Sequence, residues 1–246
     1  MGAQGLRALL VSQRWYIAAP MGGKLYIIAA PIGNPKDITD RAKEMLGQLT
    51  FLACEDTRTA KRQLQTWQIP CEHKRFISLF EHNERQRVSL LLDVLRQGQD
   101  VGLLVSRGTP MISDPGYILT REAIEAGMEI KALPGPSACI SALLVSGLPS
   151  DKFLFLGFPP RKEGQQRRFF EKYKDLDLTL IFYESPRRVL KTLTRLEPVF
   201  SNWNMAVCRE LTKPYEEIIR GRLSDVLNHI KDKKILGEIT VVLAKK

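Results

Sequence analysis

Short apolar runs closed by Gly, Pro or acidic residues alternate along this chain with longer stretches whose apolar positions recur every three to four residues. Residues 25–30, 51–54, 76–80, 101–105 and 130–133 are runs of the first kind and predict strands. Between them, 40–49, 58–67 and 117–126 read as helices. Val88, Leu91, Leu92 and Leu95 fall at i, i+3, i+4 and i+7, which predicts an amphipathic helix ended by Gly98. Strands alternating with helices imply an α/β fold and a mainly parallel sheet covered on both faces.

The second half repeats the alternation more loosely. Residues 153–156, 178–182, 205–208 and 239–243 predict strands, and 138–146 and 186–196 helices. Pro134-Gly135-Pro136-Ser137 is the strongest hinge in the chain, and Ser137 is placed to cap the helix that follows it. The expected organisation is an amino-terminal α/β domain over 24–134 and a carboxyl-terminal α/β domain over 137–246. Residues 1–23 read as a poorly ordered extension. It has no acidic residue but carries Arg7 and Arg14, a composition that also occurs in organelle transit segments.

Charge changes the picture next. The chain has 246 residues and a formal net charge of +10, which makes a polyanionic partner plausible; the bland alternative is a soluble basic surface. Residues 161–195 are dense in Arg and Lys, interleaved with Phe169, Phe170 and Tyr173. This suits phosphate contact and base stacking, or else a solvated helix face. No apolar run is long enough to span a bilayer, so no membrane is expected. Cys54, Cys71, Cys139 and Cys208 are scattered and form no Cys-x-x-Cys pair. They read as reduced packing residues of a cytoplasmic protein, with no metal site.

The candidate chemistry centres on Ser106-Arg107-Gly108-Thr109-Pro110-Met111-Ile112-Ser113-Asp114-Pro115-Gly116, between the fourth strand and a helix. Two glycines and two prolines there predict a rigid turn with exposed amides, at the strand end where open sheets hold ligands. Pro31-Ile32-Gly33-Asn34 plays a similar part after the first strand, as a ligand loop or an ordinary turn. The chain has neither Gly-x-Gly-x-x-Gly nor Gly-x-x-x-x-Gly-Lys-Ser/Thr, which argues against a dinucleotide enzyme and a nucleoside triphosphatase.

These strings occur in one order with Glu55-Asp56-Thr57-Arg58, His82-Asn83-Glu84, Leu133-Pro134-Gly135-Pro136-Ser137, Gly157-Phe158, Phe182-Tyr183-Glu184-Ser185 and Arg209-Glu210-Leu211-Thr212-Lys213. Together they resemble the ribosomal RNA small subunit methyltransferase I family, within the tetrapyrrole methylase superfamily, from about Lys24 onward. The resemblance implies two α/β domains with a cofactor cleft between them, usually in a homodimer. It implies an S-adenosyl-L-methionine-dependent enzyme that methylates a cytidine ribose 2′-hydroxyl in small-subunit ribosomal RNA or the assembled subunit. It places the cofactor on Pro31, Ile32, Gly33, Gly108, Thr109, Ile112, Ser137, Ala138, Tyr183, Leu211, Thr212, Gly237 and Glu238.

The chain departs from the family pattern twice. The family commonly has Ser-Asp-Ala before Gly-Thr-Pro, whereas this chain has Val105-Ser106-Arg107. An Arg107 cation aimed at a cationic cofactor from ~4 Å would cost about 4 kcal/mol at an effective dielectric of ~20. The family also commonly continues past the last strand into a helical extension, and RNA contacts carried there are expected to be missing here or replaced by the 161–195 region.

Removal of a hydroxyl proton needs a carboxylate or an imidazole. Glu55 and Asp56 are the first choice, as the end of a strand beside the expected ligand loops, with His82 next and Glu84, Glu184 and Glu210 behind. Arg58, Asn83, Arg161, Lys162, Arg167, Arg168, Arg187 and Arg188 are the expected RNA contacts. Two further readings stand beside this one: a methylase of a small tetrapyrrole-like substrate, and a catalytically silent RNA-binding relative.

Overall fold

The structure, a computed structural model, describes residues 22–80 and 82–245. Apart from Gly22 and Gly23, the extension expected over 1–23 lies outside the described residues. The described chain divides into two units, one of residues 22–31 and 35–135, the other of 32–34 and 136–245.

In the first unit, β1 (Lys24–Ile28), α1 (Asp40–Gln48), β2 (Phe51–Cys54), α2 (Thr57–Thr66), β3 (Arg75–Ser78), α3 (Glu84–Arg96), β4 (Val101–Leu104), α4 (Tyr117–Glu125) and β5 (Glu129–Leu133) follow one another. The five strands lie in the order β3-β2-β4-β1-β5, every pair parallel. Alternation along the strands sorts the core into two layers. Ile28, Leu52, Cys54 and Leu104 pack with Ala42, Leu46, Ala60 and Leu64 of α1 and α2. Leu25, Ile27, Ala53 and Leu103 pack with Val88, Leu91, Leu95, Leu119 and Ala123 of α3 and α4. The connection after β1 therefore covers one face and the connection after β4 the other. Because β1 and β4 are neighbours, their carboxyl ends form the point where the winding reverses, the usual ligand position of such sheets.

Polar side chains close the helix ends. Thr39 accepts from the Ala42 amide at the start of α1, and Asp56 accepts from Arg58 and Thr59 at the start of α2. The Lys74 ammonium donates to the carbonyls of Leu46, Gly47 and Leu49 at 2.6, 3.2 and 2.7 Å, closing α1. Burial there lowers its proton affinity.

In the second unit, α5 (Ala138–Ser146), β6 (Phe153–Phe155), α6 (Glu163–Glu171), β7 (Thr179–Glu184), α7 (Val189–Phe200), β8 (Asn204–Arg209), β9 (Glu217–Arg222), α8 (Leu223–Ile230) and β10 (Ile239–Ala244) build a sheet of order β6-β7-β10-β8-β9. Here the expectation of a mainly parallel sheet fails. Only β6 and β7 run parallel, while β10 is antiparallel to β7 and β8, and β8 to β9. The reason is local: β8 and β9 are joined by the short turn 210–216, which admits only an antiparallel return. Leu180, Phe182, Val207, Val241 and Leu243 face α6, α7 and α8, and Ile181, Ala206, Cys208 and Val242 face α5. The pattern did not predict β9, α6 or α8. The half-exposed edge strand β9 has only Ile218 and Ile219 as an apolar pair, too little for a periodicity signal.

All four cysteines are free thiols, and burial pushes Cys54 and Cys208 up to about 12. Among the described residues no helix is long and apolar enough to cross a membrane, and no group of three or more His, Cys, Asp or Glu is placed to hold a metal ion.

Candidate functional site

The carboxyl ends of β1, β2 and β4 bring together three of the strings singled out in the sequence. The Ala30 amide donates to the Gly108 carbonyl at 2.8 Å and the Gly108 amide to the Ala30 carbonyl at 3.0 Å, a two-bond clasp between the loops leaving β1 and β4. Both faces of the Ser106 peptide are held from the α2 side. Its amide donates to Glu55 Oε2 at 3.2 Å, and its carbonyl accepts from Gln63 Nε2 at 2.9 Å. At the far end of the loop, Glu84 Oε1 accepts from the amides of Gly116, Ile118 and Leu119 at 3.0, 3.0 and 3.3 Å.

Within this frame the backbone is strained. Gly108 and Gly116 have φ of 73° and 125°, and Met111 and Ser113, which carry side chains, have 68° and 72°. A left-handed Met costs on the order of 1–3 kcal/mol and persists only where surrounding contacts impose it, which is typical of ligand loops. The strain leaves Ile112 exposed and Thr109 half-buried.

Asp114, in the same loop, is half-buried. Burial first, and the nearby Glu55 carboxylate second, raise its carboxyl to about 6. Asp114 is not among the carboxylates expected from the sequence to act as the base. Its signal was the acid in a Pro- and Gly-bounded loop, but only the tertiary fold brings Glu55 of the β2 end toward it. Asp56, by contrast, spends its Oδ1 on capping α2, and those two amides draw its carboxyl below the ordinary aspartate range. Arg107 is exposed, where water screens its charge.

The second unit gathers another set. Residues 32–34 lie against the turn after β8, where the Asn34 amide donates to Thr212 Oγ1 at 3.0 Å. A Cβ on Gly33 would fall on Lys213 Cγ and within 2.8 Å of Thr212 Oγ1 and 2.9 Å of the Leu211 carbonyl. Gly33→Ala should therefore cost about 1–2 kcal/mol of stability in chemical denaturation; a neutral substitution would show that this turn yields. Glu210 and Thr212 are left-handed at φ 53° and 66°. A Cβ on Gly237 would strike the Glu210 side chain. The strings around 32–34, 210–213 and 237–238 thus converge. The side chains of Ile32 and Leu211 are buried against α5, which leaves their main chain for a ligand. Ser137 occupies the N-cap position of α5, but its side chain makes no capping bond.

These contacts give several of the expected residues structural partners. Glu84 is buried and holds the amides of Gly116, Ile118 and Leu119 at the end of the loop. Glu184 is buried and takes hydrogen bonds from the Ser185 amide, Arg188 and Thr192. Glu210 is ion-paired to Lys213 at 2.6 Å and accepts from the Glu238 amide. Asn83, expected on RNA, closes the β3–α3 turn by accepting from the Phe80 amide and donating to the Ser78 carbonyl. Arg188 turns inward to Glu184 and to the Pro159 carbonyl at 3.1 Å. Phe170 is a core residue, and Phe169 and Tyr173 are partly buried against it. Arg58, His82, Arg161, Lys162, Arg167, Arg168 and Arg187 are exposed, with Arg167 paired to Glu171. The linear charge run thus divides into internal struts and an outward set, a division set by which turn of each helix meets the sheet.

A two-unit α/β architecture with a parallel first sheet, a mostly antiparallel second sheet and strained Gly-Pro loops at strand ends is the fold of a methylase class. A family model described as Tetrapyrrole (Corrin/Porphyrin) Methylases matches residues 24–227. Solved structures share the fold. Diphthine synthase superposes with a TM-score of 0.70 at 16% identity over 91% of each chain. Uroporphyrin III C-methyl transferase from Thermus thermophilus superposes with 0.62 at 18% identity over 90% of this chain and 97% of that one.

Nearer relatives carry a more specific name. Proteins called ribosomal RNA small subunit methyltransferase I are 40% identical in Thermotoga maritima, over 91% of this chain and 99% of the relative, and 42% identical in Hydrogenobaculum sp., over 90% and 96%. The one from Mesorhizobium japonicum is 43% identical over 89% of this chain and 74% of its own length. The chain belongs to the ribosomal RNA small subunit methyltransferase I family of the tetrapyrrole methylases.

Proposed function

We propose that this chain transfers the methyl group of S-adenosyl-L-methionine to a ribose 2′-hydroxyl of a cytidine in small-subunit ribosomal RNA. The observation that carries this reading is the strained 105–116 loop, clasped to Ala30 where the first sheet reverses its winding and bearing a half-buried carboxylate. The residues present fit a sulfonium cofactor. The loop offers main-chain groups and an acid, and the exposed Arg107 is the one cation within it.

In this reading Gly33, Gly108, Thr109 and Ile112 hold the cofactor through their main chain. Ser137 and Ala138 offer the first-turn amides of α5 to its carboxylate, and Tyr183, Leu211, Thr212, Gly237 and Glu238 complete the contacts. S-adenosyl-L-methionine supplies an electrophilic methyl group on a positively charged sulfur. The chain's tasks are alignment of oxygen, carbon and sulfur, and removal of one proton. Asp114 takes that proton, with Glu55 beside it. An acid raised to about 6 is ionised at neutral pH yet is a stronger base than an ordinary aspartate. The reading extends to a homodimer in the cytoplasm acting on RNA or on the assembled subunit.

The test is incubation of the purified chain with methyl-labelled cofactor and small subunits assembled from unmodified RNA. Label is expected in RNA, in a cytidine whose 3′ linkage resists alkali, as a 2′-O-methyl group requires. Label on a base, or on a tetrapyrrole such as uroporphyrinogen offered in parallel but not on RNA, would overturn the assignment.

A further inference from the structure

Phe158, like Tyr215, is a large aromatic of the second unit that lies outside the core. Phe158 is 60% exposed and lies three residues beyond the end of β6. Its loop is unusually well held. The Tyr183 amide donates to the Gly157 carbonyl at 2.9 Å, and Gly157 takes a φ of 63° that swings the next residue outward. Pro159 and Pro160 follow, and side chains anchor three successive carbonyls. Arg188 Nη2 holds Pro159 at 3.1 Å, Gln166 Nε2 holds Pro160 at 3.0 Å, and Arg195 Nη1 holds Arg161 at 3.4 Å. The first two anchors are tied into one buried network, because Arg188 and Thr192 both bond Glu184, and Gln166 bonds Thr192.

The ring itself is braced edge-on by Tyr183, with centroids 5.5 Å apart, and Tyr183 is braced by Phe155 at 4.8 Å. The loop's other side chains, Arg161 and Lys162, are exposed cations. So is Arg187, on the turn that Arg188 ties to this loop. A held aromatic ring with exposed cations on its own loop and on the turn tied to that loop fits a ligand that presents a π face and phosphates together, which describes a nucleotide of single-stranded RNA. A protein partner would call for further apolar area on this loop, and the loop offers charge instead.

We propose that Phe158 is a stacking platform for a base of the RNA substrate, with Arg161, Lys162 and Arg187 contacting the adjoining phosphates. This deepens the assignment made under Proposed function and rests on it for the identity of the RNA. The decisive measurement is binding of a single-stranded RNA oligonucleotide carrying 2-aminopurine, followed by anisotropy and by quenching of the base on stacking, for the whole protein and for Phe158→Ala, Phe158→Leu and Phe158→Trp.

Stacking predicts about tenfold weaker binding for Phe158→Ala and for Phe158→Leu, which keeps the apolar bulk but lacks the π face, and quenching within about threefold of the parent for Phe158→Trp. Arg187→Ala should lower the salt slope by about one contact. Equal binding by Phe158→Ala, or rescue by Leu as complete as by Trp, overturns the platform even if RNA is methylated. A parent protein that binds the RNA and quenches it through Phe158 but methylates none overturns the enzymatic assignment and leaves the platform standing. A parent protein that binds no RNA overturns both.

Discussion

Replacing Asp114 with Asn is expected to lower kcat for methyl transfer by about a hundredfold or more, in line with loss of a proton acceptor. In the parent protein, kcat/KM should rise with pH through an inflection near 6, the value to which burial and Glu55 push this carboxyl, and the variant should lack that limb. The same change should stabilise the protein, and the sign follows from linkage. The folded-state value lies above the ordinary aspartate value, so between about pH 4 and 6 the folded protein binds more protons than the unfolded chain. Stability therefore falls as pH rises through that window, and the cost of ionising Asp114 is fully present at neutral pH.

A rise from the ordinary aspartate value to about 6 corresponds to about 3 kcal/mol, which solvent screening of this half-buried group reduces to about 1–2 kcal/mol. Asp114→Asn should recover that amount at neutral pH and nothing below about pH 4. Denaturation at both pH values, with initial rates across the range, checks the pair of effects. Unchanged kcat in the variant would remove Asp114 from the mechanism. A variant less stable than the parent at neutral pH would show that the ionised carboxylate is held by favourable contacts.

The second large effect is expected at Glu84. Its Oε1 serves three amides at the start of α4, and the Gly116 and Leu119 amides are buried. Glu84→Ala leaves those donors without an acceptor in a place water does not reach, at a cost of about 3 kcal/mol. Glu84→Gln retains one acceptor oxygen without its charge and should cost about half as much. Because Gly116 ends the 105–116 loop, the loss should also loosen the strained backbone from Gly108 to Ser113 and weaken cofactor binding about tenfold. Urea denaturation and cofactor calorimetry on both variants test this. Stability within about 1 kcal/mol of the parent for the Ala variant would show that the loop is held by the Ala30–Gly108 clasp and the Ser106 contacts alone.

Particular residues show how far the sequence could be read. Val88, Leu91, Leu92 and Leu95 announced α3 because a helix face repeats every 3.6 residues, and all four are buried. The run 101–105 announced β4, whose four residues are all buried. Gly108, Pro110, Pro115 and Gly116 marked a tight loop, but the left-handed backbone of Met111 and Ser113 appears only in the folded structure. Phe158 was visible only as part of a short string; its exposure depends on the fixing of the Pro159 and Pro160 carbonyls by Arg188 and Gln166, which lie 29 and 6 residues away. The roles of acidic residues were the least legible. Glu55, Asp56, Glu84, Glu184 and Glu210 look alike in sequence, and they separate into loop support, helix cap, buried strut and ion pair only through partners that are distant in the chain or set by local backbone geometry.

From the sequence alone came the α/β class, the alternation of elements in the first half, the loops that could hold a ligand and the family resemblance, because each depends on residues close together in the chain. Tertiary structure alone decided that the second sheet is mostly antiparallel, that Glu55 lies near enough to raise the Asp114 carboxyl, and that Arg188 and Arg195 of a basic run turn inward while the rest stay exposed. Pairing direction, burial and electrostatic coupling are set by neighbours in space, and no period along the chain encodes them.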